Sequence, residues 1–244
     1  MRMLTFAKRC AKEILRDPLN LLFGLGFPVA LLLLLSAIQA NIPVSMFEIQ
    51  HLTPGILVFG LAFLTLFSAT LVARDRESAF LQRLYTSPLQ PAEFILGYML
   101  PMLPLAIGQS IGCCLVAVVL GLPVTVNLLY GVILMIPISV FYIGLGLLCG
   151  SVLNTKQVGG LCGALLTNLS AWLSGTWFDL ELVGSTFRKI AYALPFVHGV
   201  ELERGILRGE LTGQTLGHLW VVAAYALVIT LCAVWLFLKQ MKRQ

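Results

Sequence analysis

The chain of 244 residues is 59% hydrophobic and only 11% charged, and its mean hydropathy is +0.93. A soluble domain carries about 25% charged residues, so this composition excludes an ordinary water-soluble protein. The net charge of +5 does not indicate nucleic-acid binding, because the basic residues lie in short stretches between long apolar runs. The composition predicts an integral membrane protein whose partner is the lipid bilayer and not a nucleic acid.

Six apolar runs are long enough to cross a bilayer as helices, which takes about 20 residues each. None of them contains Asp, Glu, Lys or Arg. The third run is long and contains Pro101 and Pro104, which predicts a kink or a tilt. The fifth run has a lower hydropathy because it contains Asn168, Ser170 and Ser174. The predicted spans are Leu19–Ile38, Thr53–Ala73, Phe94–Leu122, Leu128–Leu153, Val158–Trp177 and Leu219–Leu238.

Basic residues concentrate on one side of the predicted membrane. They lie before the first span, between the second and third, between the fourth and fifth, and after the sixth, whereas residues 39–52 and 123–127 contain none. Because positive residues favour cytoplasmic loops, both termini are predicted to be cytoplasmic. The chain is then a multi-pass protein of the cell membrane, plasma or inner.

The first 17 residues have helical periodicity. Met3, Ala7, Cys10 and Ile14 fall on one face, basic residues occupy the other, and Pro18 ends the run. This pattern predicts an amphipathic helix that lies in the headgroup region of the inner leaflet. The alternative is a stretch that only sets the orientation of the chain.

The segment 74–90 connects the second and third spans and is too long for a tight turn. It combines an apolar ridge at helical spacing with flanking charges: Phe80, Leu81 and Leu84 form the ridge, and Arg76, Glu77 and Arg83 lie beside it. Such a helix is suited to dock onto a soluble partner. The alternative is a helix at headgroup level that has no partner.

A long loop, residues 178–217, connects the fifth and sixth spans on the predicted outer side. Its aromatic and apolar residues predict that it folds back into the outer leaflet, where irregular backbone must be covered by protein or water. The alternative is a structured lid that does not touch substrate.

Several kinds of chemistry are missing from the sequence. There is no G-x-x-x-x-G-K-[ST] motif, so the chain cannot hold a nucleotide by a P-loop, and the six cysteines show no metal-binding spacing. Proton-driven carriers usually place Asp, Glu or His within the bilayer, and these spans have none of the three. The energy for any transport is therefore expected to come from outside this polypeptide, with an ion-coupled carrier acting alone as the alternative.

One motif in the third span resembles a catalytic site. Residues 108–112 match G-x-S-x-G around Ser110, but a nucleophile elbow needs a strand–turn–helix context, and no histidine lies at that depth to act as base. The favoured interpretation is close helix–helix contact at small residues. An intramembrane serine hydrolase at Ser110 is the alternative from another functional class.

A series of short motifs resembles a known family. Thr53-Pro54-Gly55-Ile56 opens the second span, and Arg76-Glu77, Leu84, Ser87-Pro88-Leu89 and Gly97 follow in order. This series resembles the permease family of type-2 ABC exporters, and Leu194-Pro195-Phe196 with residues 201–208 resembles that family's outer segment. The resemblance covers essentially the whole chain. The sequence departs from the family pattern at Ser78, where Gly is frequent, and at Gln90, where Ser or Thr is common.

The resemblance implies one transmembrane domain, residues 1–244, with six spans and both termini inside. It implies a dimer, with a second copy or a paralogue, in which each permease binds a separate ABC ATPase subunit. The chain would not be catalytic and would bind no cofactor or metal, since ATP and Mg²⁺ belong to the ATPase. Residues 74–87 would be the coupling helix, residues 1–17 the interfacial helix, and residues 178–217 the re-entrant outer segment.

The resemblance also implies a substrate path at the dimer interface, near the first, second and fifth spans. Uncharged spans that contain Phe63, Phe67, Asn168 and Trp172 suit a hydrophobic or amphiphilic cargo such as a drug, a peptide or a lipid-like molecule. The cell membrane would be that of a bacterium. The alternative is an exporter of a polysaccharide or a glycolipid.

Overall fold

A computed structural model of the protein describes residues 2–42, 44–78, 80 and 90–241. As the hydropathy pattern predicts, every regular element in these residues is helical. The main helices, with the labels used below, are α1 (Arg2–Leu15), α2 (Pro18–Leu21, a π-helical stretch Leu22–Gly26, and Phe27–Asn41), α3 (Ile49–Gly60, continuing as Ala62–Glu77), α4 (Pro91–Met99 and, after a break, Met102–Val119), α5 (Val126–Val152), α6 (Thr155–Val158, π-helical Gly159–Leu166, and Thr167–Leu173), α7 (Leu180–Val183), α8 (Ser185–Tyr192), α9 (Pro195–Leu207) and α10 (Gly213–Met241).

Five helices in the described residues are long and apolar enough to cross a membrane: α2, α3, α4, α5 and α10. They coincide with five of the six predicted spans. The remaining predicted span corresponds to α6, which is helical but contains Lys156, Gln157 and Asn168. These polar residues lower its hydropathy below that of the other five, so the sixth span stays a prediction.

Local sequence explains how α4 begins and where it breaks. The backbone N–H of Gln90 donates to the Glu93 carboxylate at 2.8 Å, and Pro91 lies in the first turn, where a proline is favourable. The helix is interrupted at Leu100 and Pro101, because proline cannot donate the backbone hydrogen bond that would continue it. The kink predicted for this span is confirmed as a helix break.

Helix α3 is the central element of the bundle, buried along most of its length, whereas α2 and α10 are largely exposed. Its closest neighbour is α5. A Cβ atom added at Gly146 would lie 2.3 Å from the carbonyl oxygen of Thr65, and one at Gly150 would lie 2.4 Å from that of Ala69. The Thr65 hydroxyl donates to the carbonyl of Tyr142 across the same contact, at 2.9 Å.

The sequence predicted a close helix contact at the small residues around Ser110 of α4, where the structure buries Ser110 but leaves open space beside the two flanking glycines. A Cβ added at Gly108 or Gly112 of α4 would have no neighbour within 4 Å. The tight contact is formed by the Gly146 and Gly150 pair, which also has the G-x-x-x-G spacing typical of close helix pairs in membranes.

Helices α7, α8 and α9 form a layer at the end of the bundle away from α1. Helix α9 is buried on nearly all sides and packs against α3, α5 and α10. His198 Nδ1 of α9 lies 2.6 Å from His218 Nδ1 of α10. The two ends of the bundle are called the α1 end and the α9 end below.

Replacing Gly150 by alanine tests the α3–α5 contact. The new methyl group meets backbone, which cannot move aside as a flexible side chain can, so we expect a loss of about 1–3 kcal/mol in unfolding free energy. The measurement is an SDS titration of the protein in mixed micelles. Gly112→Ala is the matched control, since it adds the same methyl group to open space, and equal losses from both variants would contradict the proposed packing.

Candidate functional site

The C-terminal end of α3 and its continuation carry the residues that the sequence singled out for docking. Arg76, Glu77 and Phe80 lie within the described residues, whereas Leu81, Arg83 and Leu84 lie outside them. All three described side chains contact other parts of the same chain.

Arg76 and Glu77 hold the turn between α5 and α6. The guanidinium of Arg76 donates to the carbonyl oxygens of Ser151 and Leu153, the latter at 2.5 Å. These carbonyls end α5, where a helix leaves its acceptors unsatisfied and favours a positive charge. Arg76 therefore caps the C-terminus of α5.

Glu77 makes the corresponding contact at the start of α6. Its carboxylate accepts from the backbone N–H of Thr155 at 2.8 Å and from the Thr155 hydroxyl at 2.5 Å. A carboxylate at a helix N-terminus satisfies free N–H groups and interacts favourably with the helix dipole. The Arg76-Glu77 pair thus connects α3 to both helices that meet at residues 151–155.

A second contact joins the end of α3 to α1. Asp75 is 3% exposed, and its carboxylate accepts from both terminal nitrogens of Arg9 and from the Tyr98 hydroxyl, the latter at 2.7 Å. Burial alone would lower the pKa of Arg9, but the hydrogen bond and charge of Asp75 outweigh it and raise that pKa above its usual range. Arg9 is therefore a permanent cation at this site.

Arg9 also connects α1 to the segment beyond α3. Its guanidinium lies over the ring of Phe80, 4.0 Å from the ring centroid, a cation–π contact. Cys10, beside it, is fully buried, and burial raises the pKa of its thiol to about 12. The predicted apolar face of α1 is thus packed against protein.

Two glycines of the family-like motifs have identifiable packing roles. A Cβ at Gly55 would come within 2.7 Å of the Thr176 side chain, beyond α6, and one at Gly97 would come within 2.4 Å of the Phe6 ring. Each glycine admits a side chain from a distant part of the chain. Gly55 allows the Thr176 side chain to pack against the α9 end of α3. Gly97 allows α1 to pack against α4 through the Phe6 ring.

An aromatic ladder runs along one face of α3, formed by Phe67, Phe63, Phe59 and Trp177 in that order. Successive ring centroids lie 6.5, 6.0 and 5.4 Å apart. The ring of Phe27 from α2 packs against Phe63 at 5.3 Å. The structure therefore brings together Phe63 and Phe67, two of the four residues predicted to line a substrate path.

The other two predicted path residues lie apart from the ladder. Asn168 and Trp172 are both exposed and about one turn apart on α6. The Asn168 amide donates only to the carbonyl of Ala164 in its own helix, at 2.7 Å. Within the described residues, these two side chains thus form an exposed face of α6.

A cavity of about 410 Å³ lies beside Phe67, at the end of the ladder nearest the α1 end. Phe67, Leu71 and Leu105 are among its apolar lining residues. Its charged lining residues are Arg9, Glu13, Arg16, Asp17, Arg74 and Asp75. Such a combination of apolar and charged lining suits an amphiphilic molecule, because its apolar part and its charged part need different surroundings.

Ser110, the candidate nucleophile, is fully buried within α4, and its hydroxyl donates to the Ala106 carbonyl at 2.9 Å. The neighbouring Gln109 donates to the Leu57 carbonyl of α3 at 3.1 Å. Both side chains therefore bind backbone oxygens, in α4 itself and in α3.

The sequence did not predict a structural role for Arg9, Asp75 or Thr155. Asp75 had one available signal, because it is an acidic residue at the end of a long apolar run, between two arginines. Thr155 had none, since its contact with Glu77 joins residues 78 positions apart.

Replacing Asp75 by asparagine tests the junction between α1 and α3. The change removes the charge that balances Arg9, so we expect a loss of about 1–3 kcal/mol in unfolding free energy, measured by SDS titration. Glu13→Gln is the matched control, because Glu13 pairs with the same guanidinium from a more exposed position, and its loss should stay below about 1 kcal/mol. A larger loss in the control would refute Asp75 as the main partner of Arg9.

A comparison with protein families identifies the chain. The family described as ABC-2 type transporter matches residues 1–207, which include the α3 end, the aromatic ladder and α9. No curated protein matches the sequence significantly. The family consists of membrane permease components of ABC transporters, which generally pair with an ABC ATPase subunit. Because the match covers most of its length, this chain belongs to the ABC-2 type transporter family.

Proposed function

We propose that the chain is the permease subunit of an ABC exporter that moves a hydrophobic or amphiphilic molecule out of the cytoplasm or the inner leaflet of a bacterial cell membrane. The observation that carries this proposal is the set of hydrogen bonds that Arg76 and Glu77 form with the turn between α5 and α6. A force applied to residues 74–90 would reach both helices through these contacts. A separate ABC ATPase would supply that force and would hold ATP and Mg²⁺.

In this proposal the chain has six spans, with α6 as the fifth in order, and both termini are cytoplasmic. At about 1.5 Å per residue, α6 is long enough that it would cross most of a hydrocarbon core of about 30 Å. The basic residues before α2 and after α10 support a cytoplasmic α1 end. The α9 end then faces outward.

Residues 178–217 would form the re-entrant outer segment, and the burial of α9 supports this. Glu203 is fully buried, and neither of its carboxyl oxygens has a hydrogen-bond partner among the described residues. Burial raises the pKa of this carboxyl well above its usual range. Such a group is compatible with a helix enclosed by protein and not with a loop in water.

ATP binding would close the ATPase pair and displace the coupling segments. Because Glu77 holds the N-terminus of α6 and Arg76 holds the C-terminus of α5, the displacement would tilt these helices against their neighbours. Because Arg9 of α1 contacts Asp75 and Phe80, α1 would move together with this segment. An ATPase that binds nucleotide tightly only when closed can shift the permease equilibrium in this way.

The cargo would enter at the cavity of the α1 end and travel along the aromatic ladder. Aromatic faces favour apolar and cationic groups, which supports a hydrophobic or amphiphilic cargo. A second copy or a paralogue would complete the path. The exposed face of α6 with Asn168 and Trp172 is available to line it from the other side.

The first test is the neighbouring reading frame. We expect a gene for an ATPase with a Walker A motif and an ABC signature adjacent to this one. Transport by the purified chain alone in liposomes, driven by an ion gradient, would instead favour an ion-coupled carrier. Loss of labelling by a fluorophosphonate in Ser110→Ala would favour the hydrolase alternative.

Glu77→Gln tests the coupling role. The change removes the charge from the contacts with Thr155, and charge-assisted hydrogen bonds are roughly twice as strong as neutral ones. In the reconstituted permease–ATPase complex, we expect cargo-stimulated ATP hydrolysis to fall about tenfold while basal hydrolysis persists. Thr155→Val should have a similar effect, and the double variant should add little, because both changes weaken the same contact.

Lys156→Gln is the matched control, because Lys156 is exposed and adjacent to Thr155. It should leave stimulation unchanged. If Glu77→Gln kept full stimulation in a complex that still assembles, the coupling role would be refuted.

Phe63→Ala tests the substrate path. Removing the ring from the middle of the ladder should raise the KM for an amphiphilic cargo about tenfold, because aromatic groups supply large apolar contact area. The assay is uptake into inverted vesicles. Trp235→Ala is the control, since Trp235 is 60% exposed on α10. Equal effects of the two variants would rule out a specific role for the ladder.

A further inference from the structure

A charged cavity of about 210 Å³ lies at the α9 end, between the residues that follow α6 and helices α8 and α9. It is smaller than the roughly 300–1,000 Å³ typical of sites for drug-sized molecules. Its charged lining residues, which define the charged cavity below, are Asp179, Glu181, Arg188, Glu201, Arg204 and Arg208. A small polar group fits this space better than a bulky apolar cargo.

The charged cavity has three acidic and three basic lining residues, and two of these six form no ion pair. Arg204 pairs with Glu201 at 2.9 Å, and Arg188 pairs with Glu181 at 2.8 Å. In the described part of the chain, Asp179 and Arg208 have no partner of opposite charge within ion-pair distance. The cavity thus presents one free carboxylate and one free guanidinium.

The walls that carry these two charges are held in place. The Asp179 carboxylate accepts from the backbone N–H of Glu181 at 3.0 Å, which caps α7. Arg204, which is 7% exposed, donates to the Gly175 carbonyl at 2.9 Å and so ties α9 to the end of α6. The Asp179 carboxylate and the helix that carries Arg208 are thus held in position, which reduces the entropy lost when a ligand binds.

A net-neutral site with one free charge of each sign suits a zwitterion, since a simple anion or cation would leave one charge unbalanced. Phosphate is well matched by guanidinium groups, and a primary ammonium can donate to a carboxylate. A quaternary ammonium has no N–H to donate and prefers open aromatic faces. The Tyr192 ring at this site already has the Arg188 guanidinium over its face, at 5.6 Å.

We propose that the charged cavity binds the phosphoethanolamine headgroup of an outer-leaflet phospholipid. The phosphate would accept hydrogen bonds from Arg208, with Arg188 nearby, and the ammonium would donate to Asp179. Phe178 and Leu180, which also line the cavity, offer apolar surface toward the glycerol end. The inference rests on the proposed function for the side of the membrane that the cavity faces.

The test uses the full chain, purified without any ATPase in a neutral detergent, and thermal-shift titration with dihexanoyl lipids. The probes are dihexanoyl phosphatidylethanolamine, the phosphatidylglycerol and phosphatidylcholine analogues, and free glycerophosphoethanolamine. We expect the ethanolamine lipid to bind about tenfold more tightly than the other three. Arg208→Gln and Asp179→Asn should each weaken its binding by about tenfold, because each removes a charge-assisted hydrogen bond.

The variants are chosen to preserve the fold. Asparagine at position 179 can still cap α7, and Arg208 is an exposed residue. Lys156→Gln is the control, because Lys156 is also exposed, has no ion pair among the described residues, and lies at the opposite end; it should leave the binding unchanged.

Several outcomes would overturn the proposal. Equal binding of the glycerol lipid would indicate an anion site, and equal binding of the free headgroup would indicate a soluble zwitterion. Unchanged binding in both cavity variants would place the lipid elsewhere. Since no ATPase is present, these results are independent of the coupling test on Glu77.

Discussion

The close approach of α3 and α5 is the constraint on which the rest of the bundle depends. In a bilayer the lipid is as apolar as the side chains, so helices associate through close packing and hydrogen bonds more than through hydrophobic burial. Gly146 and Gly150 let α5 reach the backbone of α3. The Thr65 and Ser68 hydroxyls then bind carbonyls across the contact. This contact fixes the position of α3 relative to the end of α5.

The position of α3 explains why its C-terminal residues have internal partners. With α3 and α5 in contact, Arg76 and Glu77 reach the turn at residues 151–155, and Asp75, on the same end, reaches Arg9 of α1. Charged residues thus connect four helices, α1, α3, α5 and α6, at the α1 end of the bundle. In the proposed function, this arrangement lets one displaced segment move several helices although the predicted spans contain no Asp, Glu, Lys or Arg.

Helix α3 also connects the two ends of the molecule. Its aromatic ladder begins at the cavity near α1 and ends at Trp177, and Gly55 receives Thr176 at the α9 end. Because α3 is packed on nearly every side, a shift at its C-terminus would be transmitted along the ladder and not absorbed locally. The proposed lipid site lies at the far end of this path, next to the end of α6, where Arg204 holds Gly175.

The sequence by itself determined the helical class, the approximate bounds of five spans, the break in α4 and the family. These follow from hydropathy, proline chemistry and motifs that are local in the chain. Tertiary structure decided which glycines form the close contact, that Phe63 and Phe67 belong to one ladder, and that Asn168 and Trp172 do not join it. It also decided that Arg76, Glu77 and Asp75 bind partners far away in the sequence. The physical reason is that apolar periodicity shows which residues can enter a helix in the membrane, whereas partners depend on how the helices are placed and rotated against one another.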